Sequence, residues 1–122
     1  MSDENDNIHP DPVIQDIHDH TGRGWYGCVV GEGWHSIVKD VHTQILAKFP
    51  DYEVWQIKEK FGGLRYYCSV DGDEDVQAVI CKAEELSWQT CEDCGSTENV
   101  TTAGRPYWVR TLCENCGTPN VV

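Results

Sequence analysis

The chain reads as an α+β protein: a helix, a β-hairpin and a second helix, followed by a C-terminal four-cysteine ribbon. Three observations predict it. Apolar residues recur at helical spacing over residues 33–49 and 73–88, and two alternating runs meet at Gly62-Gly63. The pairs Cys91/Cys94 and Cys113/Cys116 form two Cys-x-x-Cys units with eighteen residues between them.

Residues 1–20 carry six acids, no Lys or Arg and two prolines, which predicts an acidic flexible arm. His18 and His20, flanked by Asp16 and Asp19, offer imidazoles without a specified scaffold and read as surface residues more readily than as metal ligands. An α+β body over residues 21–89 follows. Trp25 to Val30 is an apolar run between Gly24 and Gly31, suiting a buried strand or extended segment with Cys28 as a core thiol.

In the helix over 33–49, Trp34, Ile37, Val38, Val41, Ile45 and Phe49 form the core stripe and Pro50 ends it. His35 and His42 lie seven apart on a neighbouring face and read as polar surface residues. In the hairpin over 54–70, a turn at Gly62-Gly63 sets Phe61 opposite Leu64, Glu59 opposite Tyr66 and Ile57 opposite Cys68. The other face then collects Lys58, Lys60, Arg65 and Tyr67, with Lys60 and Arg65 directly opposed. Like charges in that position call for an anion: a phosphate, a carboxylate or an acidic partner, unless the chain's own acids supply the counter-charge. The helix over 73–88 begins among acids, which suit its positive end, and presents Val76, Val79, Ile80, Ala83 and Leu86 inward with Cys81 as a small buried hydrophobe beside them.

The ribbon spans 90–118. Cys94-Gly95 and Cys116-Gly117 place glycine where a positive-φ turn follows each knuckle. Val100 to Thr102 and Tyr107 to Thr111 are β-formers around the breaker Ala103-Gly104-Arg105-Pro106, predicting a small hairpin. Four thiolates at this spacing predict one structural zinc ion held by Cys91, Cys94, Cys113 and Cys116, with an iron centre or a redox dithiol as the alternatives.

The remaining thiols, Cys28, Cys68 and Cys81, bring the total to seven, an odd number that argues against a secreted disulfide framework. The first residues lack the basic and apolar regions of a signal peptide, and no apolar run reaches bilayer length, so a cytoplasmic protein is expected. With 21 acids against 9 bases, the net charge of −12 disfavours simple attraction to nucleic acid or anionic membrane and suits a partner with a basic surface, although acidity also serves plain solubility.

Gly33-Trp34, the run from Gln56 to Tyr67, Ala83 to Ser87, Thr90-Cys91-Glu92-x-Cys94-Gly95, and Trp108 to Cys116 together resemble a family of small zinc-ribbon proteins of bacteriophage and prophage genomes. The resemblance covers about residues 25–117, leaves the acidic arm outside, and implies a bacterial host cell as the setting. The expected function is non-enzymatic: contact with a host or phage protein, inhibiting or redirecting a factor such as a defence complex or nucleic-acid enzyme through an acidic surface. One alternative is a single-stranded nucleic-acid-binding ribbon using Arg105, Tyr107, Trp108 and Arg110. A second is a small enzyme, for which no phosphate loop, nucleophile elbow or open-zinc pattern is present in the sequence.

Overall fold

The computed structural model describes residues 10–105 and 108–117. It contains α1 (Pro12–Asp19), β1 (Gly27–Val29), a 3-10 turn (Glu32–Trp34), α2 (His35–Lys48), β2 (Val54–Lys60), β3 (Gly63–Cys68), α3 (Glu74–Ser87), β4 (Val100–Arg105) and β5 (Trp108–Cys113). The architecture is α+β, with a three-stranded sheet in the order β1-β2-β3 and a separate β4-β5 hairpin that carries the cysteine ribbon.

The first correction is α1, because the acidic arm expected to reach residue 20 gives way to a helix at Pro12. Asp11 caps it by accepting hydrogen bonds from the amides of Val13 (2.9 Å) and Ile14 (3.3 Å), and Pro12 occupies the first turn, where a missing N–H costs nothing. Ile14 and Ile17, three apart, are both buried in the core. Lys39 of α2 reaches back to Asp11 at 2.9 Å. The expectation for residues 1–9 lies outside the described residues.

β1 runs parallel to β2, with Cys28 beside Ile57, and α2 makes the connection that a parallel pair requires. Cys28 packs against the core while Trp25, Tyr26 and Val29 are exposed, so of the two expected forms the stretch is the extended segment lying on the core and not a buried strand. Trp34, Ile37, Val38, Val41 and Ile45 form the predicted stripe beneath the sheet.

The hairpin turn lies one position earlier than expected, which shifts the strand pairing by two residues. Phe61 (φ 56°) and Gly62 (φ 84°) are the two turn residues, which sets Lys60 opposite Gly63, Lys58 opposite Arg65 and Ile57 opposite Tyr66. Positive φ at both central positions is the hairpin geometry whose twist matches the strands, and Phe61 accepts the strain. Gly63 is therefore a strand residue; a Cβ there would lie 2.6 Å from the indole nitrogen of Trp88. Side-chain parity survives the change, so Lys58, Lys60, Arg65 and Tyr67 still share the outer face.

α3 lies along β3, and Asp73 caps it by accepting from the amides of Asp75 and Val76. Val76 and Ala83 are buried, whereas Leu86 and Cys81 are exposed, correcting the inward placement of both. Leu86 instead lines a groove of about 250 Å³ between α2 and α3. In the ribbon, β4 continues through Ala103 and Gly104 to Arg105, which pairs with Trp108, so the predicted breaker is strand up to Arg105.

Candidate metal centre and contact face

Each knuckle is set by a backbone turn. Gly95 (φ 84°) and Gly117 (φ 111°) take the left-handed conformation expected of them, and the Gly95 amide donates to the carbonyl of Cys91 at 3.0 Å. The β4-β5 ladder then brings the second pair to the first: Cys113 faces Val100 at the open end of the hairpin. The ligand atoms of Cys91, Cys94, Cys113 and Cys116 all lie within 4.8 Å of one another.

The sulfurs of Cys94 and Cys113 are 3.5 Å apart. That is far beyond the ~2.05 Å of a disulfide and close to the ~3.8 Å edge of a tetrahedron with 2.3 Å metal–sulfur bonds. Burial pushes the Cys91 thiol up, but hydrogen bonds from the backbone of Cys113, Cys94 and Asp93 together outweigh it and hold the group down at about 6. A thiolate stabilised by backbone amides is the form a metal binds. The neighbouring Cys94 and Cys91 thiols push the Cys116 thiol up instead, a crowding of charge that a cation relieves, and the spacing of the four sulfurs fits a closed four-thiolate ion with no position left for water.

The centre is fastened to the body on three sides. The amide of Gly33 donates to the carbonyl of Glu92 at 2.8 Å, the indole of buried Trp34 donates to the carbonyl of Thr90 at 2.8 Å, and the hydroxyl of Thr111 donates to the carbonyl of Gly62 at 2.6 Å. Glu92, itself buried, accepts from the Thr111 amide at 2.7 Å and so locks the knuckle to β5. Glycine is required at the contact, because a Cβ at Gly31 would overlap the Glu92 carbonyl, one at Gly33 would overlap the backbone of Cys91 and Glu92, and one at Gly62 would lie 2.7 Å from Thr102. Gly33-Trp34, the Gly62 turn and the Thr90-Cys91 knuckle, three of the stretches that carry the sequence resemblance, thus meet at one joint.

The outer face of the sheet is a second candidate site. Lys60 and Tyr67 are exposed and Lys58 is half buried, with Val29 of β1 beside Lys58 in the register. Arg65 is spoken for: its guanidinium pairs with Glu84 of α3 at 2.5 Å, so the chain supplies that counter-charge itself. Sequence reading missed the aromatic neighbours of this face, Trp25 stacked on Trp55 at 5.3 Å between ring centres and Tyr26 at 75% exposure. The signal available was their run of aromatics next to a glycine. Of the nucleic-acid residues proposed on the ribbon, Arg110 is bound to Asp93 at 2.7 Å, Arg105 and Trp108 are backbone partners at the strand ends, and Tyr107 lies outside the described residues.

The histidines depart most from expectation. His42 is buried, with Nδ1 at 2.6 Å from the Tyr52 hydroxyl and Nε2 at 2.6 Å from the Asp16 carboxylate. Burial lowers its pKa, against the pull of Asp16. The Tyr52 hydroxyl continues to that of Tyr66 at 2.5 Å, and His20 stands edge-on to His42 at 5.2 Å between ring centres. His18 is exposed and His35 half buried; neither belongs to the cluster. The signal for His42 lay in its spacing, four after buried Val38 and three before buried Ile45.

Among the described residues no helix is long and apolar enough to cross a membrane. Comparison of the chain with protein-family models, curated proteins and solved structures finds no match.

Proposed function

We propose that the chain is a non-enzymatic contact protein, braced by one structural zinc ion at Cys91, Cys94, Cys113 and Cys116, that binds a partner protein through the outer face of its three-stranded sheet. The observation that carries this reading is the uncovered face itself: Val29 and Tyr67 stand exposed beside Lys58 and Lys60, with the Trp25–Trp55 stack and Tyr26 in the adjoining chain. Exposed aromatic and aliphatic anchors on a rigid sheet are the residues from which interface hot spots are made. The metal supports the reading indirectly, since a closed thiolate ion contributes folding energy and not Lewis acidity.

Charge favours a partner with a basic surface around its anchor pocket. Lys39, Lys48, Arg65 and Arg110 are each paired with the chain's own acids, leaving the excess acid of a −12 chain to dominate the surrounding field. The phage setting that the resemblance implies makes a host factor, such as a defence complex or a nucleic-acid enzyme, the proposed target.

The test is capture from bacterial extract at physiological salt with the wild-type chain, with the combined variant Tyr26→Ala, Val29→Arg, Tyr67→Ala, which removes the exposed anchors and adds a charge that repels a basic partner, and with Lys82→Glu in the groove between α2 and α3. A stoichiometric protein held by wild type and by Lys82→Glu, and lost by the combined variant, supports the reading. No partner, or one indifferent to the combined variant, overturns it. The two lysines beside aromatics also suit a single-stranded nucleic acid, and oligonucleotide titration at low salt decides that second reading.

A further inference from the structure

The cluster beneath α1 has the donor set and the surroundings of a second metal site, chemically unlike the thiolate centre. Asp16, His20 and His42 each present one ligand atom, all within 4.8 Å of one another. Asp16 Oδ2 lies 2.6 Å from His42 Nε2 and 3.6 Å from His20 Nδ1. These separations bracket the ~3.3 Å edge of a tetrahedron with metal–ligand bonds of ~2.0–2.1 Å, so a small rotation of the Asp16 carboxylate brings the set to ligand spacing.

The outer contacts of both imidazoles match those of metal ligands. A ligating histidine donates its second ring N–H to a carbonyl, a carboxylate or water, which fixes the tautomer and leaves the other nitrogen's lone pair for the ion. His20 Nε2 faces the Pro50 carbonyl at 3.1 Å, and His42 Nδ1 faces the Tyr52 hydroxyl, itself held by Tyr66. With the protons placed there, His20 Nδ1 and His42 Nε2 both turn lone pairs toward Asp16. His20 Nδ1 also lies 2.9 Å from the Asp16 carbonyl oxygen. In the other tautomer of His42, Nε2–H donates to the Asp16 carboxylate and the Tyr52 hydroxyl donates to Nδ1, so a metal ion bound here takes the place of a proton between His42 and Asp16.

We propose that Asp16, His20 and His42 form a divalent transition-metal site, of the kind that takes zinc or cobalt, with two imidazoles and one carboxylate as protein ligands. Three protein ligands leave a coordination position for water, unlike the closed thiolate centre. His20 and Tyr52 also line an open hollow of about 440 Å³ together with Asp19, Asp51, Glu53 and Arg23, where three carboxylates outnumber the one guanidinium and leave the approach net negative. The site joins α1 and α2, which are distant in sequence, and so ties the acidic N-terminal segment to the body.

The experiment titrates Co2+, and separately Zn2+, into the full-length chain carrying its thiolate-bound ion, following heat release and the visible Co2+ spectrum. The expected result is one further equivalent per chain, with weak ligand-field bands and no added sulfur-to-cobalt charge transfer. His20→Ala and Asp16→Asn, checked for fold by circular dichroism, should each weaken that equivalent at least about tenfold, while thiolate-bound metal stays at one. Tyr52→Phe, which removes the oxygen facing His42, should weaken it about ten- to a hundredfold. No second equivalent in the wild type, or one that persists in folded His20→Ala and Asp16→Asn, overturns the proposal.

Discussion

Gly33 sits against Cys91: its amide bonds the next carbonyl, that of Glu92, at 2.8 Å, and the backbone approach is so close that a side chain at 33 would overlap the Cys91 carbonyl oxygen. The cysteine knuckle at Cys91 and the entrance to α2 are therefore built as a single joint, across nearly sixty residues of sequence.

Gly33→Ala should force that joint apart. Overpacking against backbone costs about 1–3 kcal/mol, which lowers the Tm of a domain this size by roughly 4–12 °C. Gly72→Ala, where an added Cβ meets nothing within 4 Å, should stay within about 0.5 kcal/mol of wild type. Differential scanning calorimetry of the two variants makes the comparison, and equal losses would refute the joint.

Stripping the thiolate ion should unfold β4-β5 while leaving the three-stranded sheet. The small cluster of Cys91, Leu112 and Cys113 is too slight to hold a hairpin alone. Heteronuclear spectra before and after a strong chelator should lose dispersion for residues 91–116 first. A ribbon unchanged in metal-free protein would contradict this.

Ser87→Ala should cost about 1–3 kcal/mol although it removes one oxygen. The Ser87 hydroxyl accepts from the buried Leu64 amide at 2.9 Å, and alanine leaves that donor without a partner. Urea denaturation with an unchanged m-value would report the loss; a midpoint matching wild type would argue that water replaces the hydroxyl.

Thiol labelling should proceed in three groups. Cys81 is exposed and reacts first. The ribbon thiols react only once the metal is removed. Cys28 and Cys68, whose thiols burial pushes up to about 11, hold only about one thiolate in a thousand at pH 8 and react last, faster as pH rises toward 11. Mass spectrometry of time points checks the order, and early labelling of Cys28 or Cys68 would contradict the packing.

The elements legible in the sequence were those specified locally. The stripe from Trp34 to Ile45, the acidic start of the helix at 73–75 and the two cysteine pairs carry their meaning within one turn or knuckle. The α1 helix was masked by its acids: only Ile14 and Ile17 face inward, and the usable signal was Asp11-Pro12, a capping residue followed by a first-turn proline. The turn register was misread because two adjacent glycines look like a turn, whereas only Gly62 needs positive φ and Gly63 is small to admit Trp88. His42 looked like a surface residue because its partners, Asp16 and Tyr52, are remote along the chain and only tertiary packing brings them together.

The two borders of the three-stranded sheet limit how anything can attach to it. β1 offers only Gly27–Val29 as a margin, and on the opposite margin the outward amide of Leu64 is already taken by Ser87. A peptide seeking to extend the sheet by strand addition meets a margin of three residues on one side and an occupied rung at Leu64 on the other. Side chains standing out from the flat of the sheet offer the wider surface, where selectivity depends on shape and charge and not on generic backbone pairing.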